Sequence, residues 1–518
     1  MLDREPYAWF RVSPADPSTL RCEDVERLLA RLADASNGGL KVDQFAESYQ
    51  GRPIYLATIG SGPRRVLLWS QMHGDEPTHT AVLLDLLSYL TKCAGEPAAA
   101  EILAGATLYA IPMLSPDGAA ALTRYNAQHI DVNRDALRLE TPEGRALHRA
   151  VETLRPEFGF NLHNQNARTA IGIPPKPAAI ALMAPPLDAD STETAQIKRA
   201  KQLAVCFAEA VRSRAAGMIA RYETEYMPWS FGERVQAMGV ATLLVEAGGW
   251  PGPDPSPIVE VHFDGLLAAL RAIADDSYRD ADPGDYDRLP RANELKLYDA
   301  AVIGGRLLDA DCRGSVRADL GINHSHGQRL STSQRPDGKI VDLGDLGTST
   351  GKFVTDASGC MVLPGRIAYL RDWLPGKPLN AKRLDALLAG GVTTVVGRVD
   401  PTRRDALEML VTPLELPINW GFVAVDEMSE TPSASRTFVE IADETWREHK
   451  RLGLGAHRGK IRREYFADLA VVEAGTDDGA PGAVRSVVVA GETVWSDGKR
   501  TGKNAGTFLR CSGENRLC

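Results

Sequence analysis

The sequence predicts an α/β domain followed by a smaller β-rich one. Three observations carry this. Before about residue 275, apolar strand-like runs alternate with helical patterns: RVLLWS at 65–70, TAVLLDLLSYL at 80–90, ATLYAIPML at 106–114, AQIKRAKQLAVCFAEAVRSRAAG at 195–217 and VATLLVE at 240–246. That alternation argues an α/β layered domain with a largely buried sheet. The stretch DDSYRDADPGDYD at 275–287 then places six aspartates with Pro283 and Gly284 among few apolar side chains, so a junction is expected there. Beyond it come short β-rich pieces with glycine turns, such as DAAVIGGRLLDA at 299–310 and AVRSVVVAGETVWSDGK at 483–499, which read as a sandwich or roll with one helix around LNAKRLDALLAG. The expected division is a catalytic domain at 1–278, a linker at 279–297 and an accessory domain at 298–518.

Size and composition narrow the class. A chain of 518 residues with 44% hydrophobic and 25% charged residues has ample material for two cores, and its composition excludes a disordered or collagen-like chain. The net charge of −9 is concentrated in the first 280 residues, and neither part is basic. Nucleic acid and anionic membranes are therefore not expected partners. Seven scattered cysteines without a CxxC pair, and an N-terminus without an apolar run, point to reduced thiols in a cytoplasmic protein. No stretch is long enough to span a bilayer.

The chemistry-bearing residues sit at the ends of strand-like runs. QMHGDEPTHT follows the first buried run and carries His73 and Glu76 three residues apart, a spacing at which an imidazole and a carboxylate reach one cation. With ten histidines, about 0.7 such pairs arise by chance, so this pair alone decides nothing. FGFNLHNQN delivers His163 after another apolar run, and VATLLVEAGGW delivers Glu246 after a third. Strand ends in open α/β sheets form the ligand crevice, so these groups can converge. Taken alone, Glu246 reads equally well as a carboxylate emerging into solvent or a salt bridge. Two imidazoles and one carboxylate leave zinc an open position for water, and a separate carboxylate is needed as base. In TRYNAQHIDVNRDAL, Arg124, Asn133 and Arg134 can polarise a carbonyl and hold a free carboxylate.

QMHGDEPT, SPDG at 115–118, Arg124-x-Asn126 followed by DVNRD, NLHNQ and VEAGG occur in the order that resembles the zinc carboxypeptidases, over about residues 45–275. GRPIYLATIG at 51–60 looks like the first strand of that family. The resemblance implies an α/β/α mixed-sheet fold and one zinc ion per chain held by His73, Glu76 and His163. It makes Glu246 the general base, Arg124 the oxyanion-stabilising arginine, and Asn133 with Arg134 the binders of the substrate carboxylate. The substrate-capping tyrosine is not fixed by motif; Tyr226 is preferred over Tyr222. Asp135 follows Arg134 where the family has Asn or Phe, which places a negative charge beside that arginine, and Ser115 stands where Asn is common.

The second half resembles another family. DAAVIGGRLLDADCRG, DASGCMVLPGRIAYLRDW, LLAGGVTTVVG and the closing FADLAVVEAG…VRSVVVAGETVWSDGKRTGKNAGTFLR are similar to the start and end of amidohydrolases of the D-aminoacylase and dihydroorotase type. There the LPG motif leads to a metal-binding His-x-His, whereas here the corresponding positions are Leu370 and Asp372. The segment before FADLAVV is also too short for an eight-stranded barrel. This implies a degenerate, non-catalytic β-rich sandwich domain, which can serve as a homo-oligomer interface. His324-Ser-His326 lies before the LPG motif and lacks a third ligand, and His457 reads as a surface histidine. The function expected is hydrolysis of a C-terminal amino acid from a peptide. The alternatives are an aspartoacylase-like zinc deacylase acting on an N-acyl amino acid or other small amide, and a non-catalytic scaffold.

Overall fold

The computed structural model describes residues 5–222, 225–251, 256–292, 297–308, 315–324, 338–370, 381–399, 419–424, 445–450, 457–474 and 481–501, apart from positions 348, 359, 390, 448, 459, 464 and 491. The chain divides into two compact units, with the break at Lys296/Leu297.

The first unit is built on β1 (Leu40–Glu47), β2 (Pro53–Ile59), β3 (Arg64–Ser70), β4 (Ala106–Ile111), β5 (Phe158–Asn164), a small separate hairpin β6 (Ala170–Ile171) and β7 (Lys176–Pro177), β8 (Ile180–Met183), β9 (Ile219–Arg221) and β10 (Ala241–Ala247). Eight of these form one sheet in the order β1-β2-β4-β3-β5-β10-β8-β9. The centre, β4-β3-β5-β10, is parallel, and antiparallel pairs flank it at β2–β4 and β10–β8. The strand read as the first, around GRPIYLATIG, is β2, and β1 covers it as the edge.

Alternation along β3 shows why its sequence is continuously apolar. Val66 and Leu68 enter one core with the helices Cys22–Ala35, Thr78–Lys92, Ala195–Val211 and Pro257–Ala274. Leu67 and Trp69 enter a second core with the helices Pro142–Leu154 and Phe231–Ala237. A strand with helices on both faces has no solvent side to leave polar. The first unit is thus a three-layer mixed-sheet fold.

The segment expected as a linker from 279 is folded through residue 292. Ser277–Asp280 and Pro283–Asp287 form short helices, Tyr278 and Tyr286 are buried in the first core, and Arg291 bridges to Arg221. Its aspartates cap and pair locally: Asp282 accepts from the Gly284 amide and, with Asp285, pairs with Arg288. Composition missed that two aromatic rings are enough to dock a polar stretch.

In the second unit, a four-stranded sheet containing Leu297–Ile303 and Asp319–Asn323 and a seven-stranded sheet containing Cys360–Pro364 and Leu469–Ala474 share one apolar core, with Val302, Leu320 and Ile322 against Val362, Leu469 and Val471. This is a β-sandwich. A third, parallel sheet of Arg366–Leu370, Val392–Val399 and Asn419–Ala424 has the helix Ala381–Ala389 between its first two strands. Leu370 ends the first of these strands; Asp372 and His326 lie outside the described residues. His324 is buried and 3.5 Å from Glu492, and His457 is exposed. No helix among the described residues is long and apolar enough to cross a membrane.

Candidate active site

The loop after β3 is shaped by two glycines in close contact. A Cβ on Gly74 would lie 1.8 Å from the carbonyl carbon of Gly118, so the HGDE loop and the SPDG turn touch backbone to backbone. Asp117 anchors that turn through Arg52 at 2.5 Å, Ser48 Oγ and the Gln50 amide. Gln71, at φ 50°, donates to the Gly74 carbonyl and accepts from Thr80 Oγ1, which fixes the turn that leads into the helix Thr78–Lys92. His73 and Glu76 are thereby held on one side of the loop.

His73 Nδ1 lies 2.7 Å from Glu76 Oε1, and His163 Nδ1 lies 2.7 Å from Glu76 Oε2. All three residues are buried, and a ligand atom from each lies within 4.8 Å of the others. His163 comes from β5, and Glu246 is its register partner on the adjacent parallel β10. Since Phe158, Phe160 and Leu162 enter the first core, Asn161 and His163 project from the opposite face of the sheet. Glu246 is buried, and its Oε2 meets no protein partner.

Asp131 ties the site together, and it is the residue that motif reading overlooked. Its Oδ1 is 3.0 Å from His73 Nε2 and accepts from the Asn133 amide, while Oδ2 accepts from Arg124 Nε at 3.0 Å. Its place two residues before Asn133 in DVNRD was the available signal. Arg124 also lies 3.6 Å from Glu76. Asn133 Oδ1 accepts from the Phe231 amide, and Arg134 Nη1 donates to the Asn133 carbonyl and to Ser230 Oγ.

Charges are partitioned accordingly. Burial would raise the Glu76 carboxyl, but the two imidazoles outweigh it and hold it far below the usual range. Burial pulls His73 down, yet the Glu76 charge and the hydrogen bonds to Asp131 and Glu76 raise it. Glu246 is pushed upward by burial and then by the nearby Glu76, so two carboxylates in one cavity have opposite proton affinities.

One cavity of about 890 Å³ is lined by His73, Glu76, Arg124, Asn133, Arg134, His163 and Glu246 together. Tyr226 is not among its lining residues. Tyr222 is, because its amide donates to the Leu182 carbonyl at the end of β9 and so keeps it on the sheet. Of the two tyrosines weighed for the substrate-capping role, Tyr222 and not Tyr226 lines this cavity. Asp135 does not confront the ligand side of Arg134: it is buried and accepts from the amides of Glu140 and Thr141 and from Thr141 Oγ1.

Two imidazole nitrogens and a carboxylate, buried and converging, are a donor set that fits zinc.

Residues 25–169 match the family model of the zinc carboxypeptidases.

Carboxypeptidase 2 of Trichophyton rubrum is 28% identical over 162 residues, 29% of this chain and 30% of that protein. Carboxypeptidase SOL1 of Arabidopsis thaliana is 25% identical over 158 residues, 27% of this chain and 32% of that protein. The chain thus spans about a third or less of the length of these curated relatives. Among solved structures, a metallo-carboxypeptidase from Burkholderia cenocepacia covers 49% of this chain and 69% of its own, at 18% identity and TM-score 0.41. The carboxypeptidase A of Helicoverpa armigera covers 52% and 78%, at 15% identity and TM-score 0.42. The family match implies zinc, and it ends before β10, so Glu246 is placed at the site by the register of the sheet.

Proposed function

We propose that the first unit is a zinc metallocarboxypeptidase that removes a C-terminal amino acid from a peptide. One observation carries the reading: a buried His–Glu–His cluster and a separate, unpaired buried glutamate share a cavity with the Asn133–Arg134 pair. His73, Glu76 and His163 would hold one zinc ion per chain. When bound, zinc supplies Lewis-acid polarisation of a carbonyl and lowers the pKa of water from 15.7 to about 7.

The chain's own residues supply the rest. Arg134, held by Ser230 and the Asn133 carbonyl, offers its free donors to the substrate's terminal carboxylate, and the Asn133 amide group stands beside it. Arg124, fixed by Asp131, is placed to hydrogen-bond the oxygen on which negative charge develops. Glu246 takes the proton from the attacking water and delivers it to the leaving amine, its buried Oε2 having no protein partner to compete for that proton. Tyr222 is the tyrosine positioned to close over the substrate.

The second unit is read as a degenerate amidohydrolase-type accessory domain suited to self-association. Its sandwich core and the parallel strand–helix–strand piece after LPG support this. The buried free thiols Cys22, Cys93 and Cys360 support a reducing, cytoplasmic setting. The test is hydrolysis by the zinc-loaded full chain of N-blocked dipeptides against N-acetyl amino acids. Cleavage of dipeptides with release of the C-terminal residue is expected; turnover of the acetyl compounds alone overturns the reading.

A further inference from the structure

One wall of the cavity has polar groups that catalysis leaves unused. Asn161 precedes His163 by two residues on the same face of β5, is 0% exposed, and has neither its oxygen nor its nitrogen bonded to protein. Beside it, in the first turn of the helix Phe231–Ala237, Glu233 is 3% exposed, lines the same cavity and has Oε1 unpartnered. Gly232, the residue before Glu233, lets this helix approach β5 closely, since a Cβ there would lie 3.5 Å from Asn161 Nδ2. Such desolvated polar atoms are costly unless something in the cavity meets them.

The cavity's guanidiniums do not meet them. Arg124 is taken by Asp131, Arg221 by Asp287, and Arg134 by Ser230 and the Asn133 carbonyl, and Arg291, the fourth arginine on the lining, makes no hydrogen bond to these atoms either. Arg134 is near enough to Glu233 to lower its proton affinity, but burial dominates and pushes that carboxyl up to about 7. The Arg134 end, where the terminal carboxylate docks, therefore adjoins an acceptor-rich wall.

We propose that Glu233 and Asn161 form the subsite for the substrate's C-terminal side chain and select one that ends in a cationic nitrogen, as in lysine, arginine or a diamino acid. This rests on the carboxypeptidase reading. A bound ammonium or guanidinium donates to Glu233 Oε1 and Asn161 Oδ1, which gives an ion pair to a buried carboxyl whose hydrogen bonds otherwise come from backbone. A leucine or phenylalanine side chain leaves both acceptors unmet, and a glutamate side chain adds a like charge.

The test uses the zinc-loaded full chain with N-blocked dipeptides ending in Lys, Leu or Glu, and measures binding of free L-lysine and L-leucine by calorimetry. The kcat/KM ratio of Lys to Leu is expected to be at least about 30, and to fall at least about 30-fold in Glu233→Gln, the effect of removing one partner of a buried charge pair. L-Lysine is expected to bind at least about tenfold more tightly than L-leucine, through Glu233. Glu233→Asp, which keeps the charge but shortens its reach, is expected to lie between, and it serves if the Gln variant does not fold. Equal or better cleavage of the Leu or Glu peptide, or an unmoved Lys:Leu ratio in a folded variant, overturns the subsite while leaving the peptidase reading intact. Absence of any dipeptide cleavage with L-lysine still bound through Glu233 overturns the peptidase reading and leaves the subsite. Loss of both cleavage and lysine binding overturns both.

Discussion

On the loop wall of the cavity, His73, Glu76, Arg124 and Asp131 satisfy one another, each charge facing its opposite at 2.7–3.6 Å. On the facing wall, built from β5, β10 and the helix Phe231–Ala237, Asn161, His163 Nε2, Glu233 Oε1 and Glu246 Oε2 meet no protein partner. The loop wall is self-supporting and can keep its geometry through a reaction. These sheet-wall atoms gain partners only from what occupies the cavity, which suits them to discrimination and proton transfer.

Removing a group that joins the two walls is the strongest way to break this comparison. His163→Ala takes one of three donors from the cluster and leaves Glu76 with one imidazole. Loss of bound zinc, measured by metal analysis of purified protein, and loss of all detectable peptidase turnover are expected. Retention of stoichiometric zinc and activity would place the metal elsewhere.

Glu246→Gln touches the sheet wall alone. Because Glu246 has no hydrogen bond to the cluster, zinc content should be unchanged, while kcat falls on the order of 10³-fold through loss of the proton carrier. A matching loss of zinc would make Glu246 a ligand instead. In the active protein, the rate depends on an ionised Glu246, whose proton affinity is raised by burial and by Glu76. Bound zinc opposes both effects, so the acidic limb of kcat/KM is expected below the Glu246 titration of the metal-free protein, with activity rising as pH rises through it.

These two walls were unequally legible in the sequence. His73, Glu76, Arg124, Asn133 and Arg134 stand in compact motifs because short loops hold them, and local spacing encodes a short loop; His163 was legible because it closes the apolar run of β5. Asp131 stood inside such a motif and was passed over because a carboxylate orienting an imidazole has no spacing of its own. Glu233 had no signal, and Asn161, though the first residue of NLHNQ, had no role marked by it: their significance comes from strand register and from Gly232 allowing a helix to approach β5. The same holds for Tyr222, which sequence distance from Glu246 could not separate from Tyr226. The layered sheet was readable because helices on both faces force continuous apolar runs. The docking of 277–292 was not, since two tyrosines among four aspartates look like a loop until their rings find a core.

Glu233 gives a smaller effect, in stability rather than turnover. Its folded-state pKa of about 7 stands above the unfolded value near 4.5, chiefly from burial, so the folded protein binds this proton more tightly. The contribution is fully present below about pH 4.5 and is lost as pH rises through 7, by on the order of 3 kcal/mol. Denaturant melts at pH 5 and 8 should show Glu233→Gln gaining on the unmodified protein as pH rises. A pH-independent difference would mean that Glu233 is paired in solution.

The smallest effect expected is that of Asp131→Asn, which probes whether the loop wall supports itself. The carboxylate fixes His73 through Nε2, so Nδ1 faces Glu76, and it holds Arg124 and the Asn133 amide at the same time. An amide keeps the shape but loses the charge and one acceptor. Zinc affinity should weaken 10- to 100-fold, the usual consequence of altering a residue that orients a ligand. Because Arg124 is released together with His73, kcat at saturating zinc should fall as well. Restored kcat at saturating zinc would confine Asp131 to the metal, and would show that Arg124 is positioned by Glu76 alone.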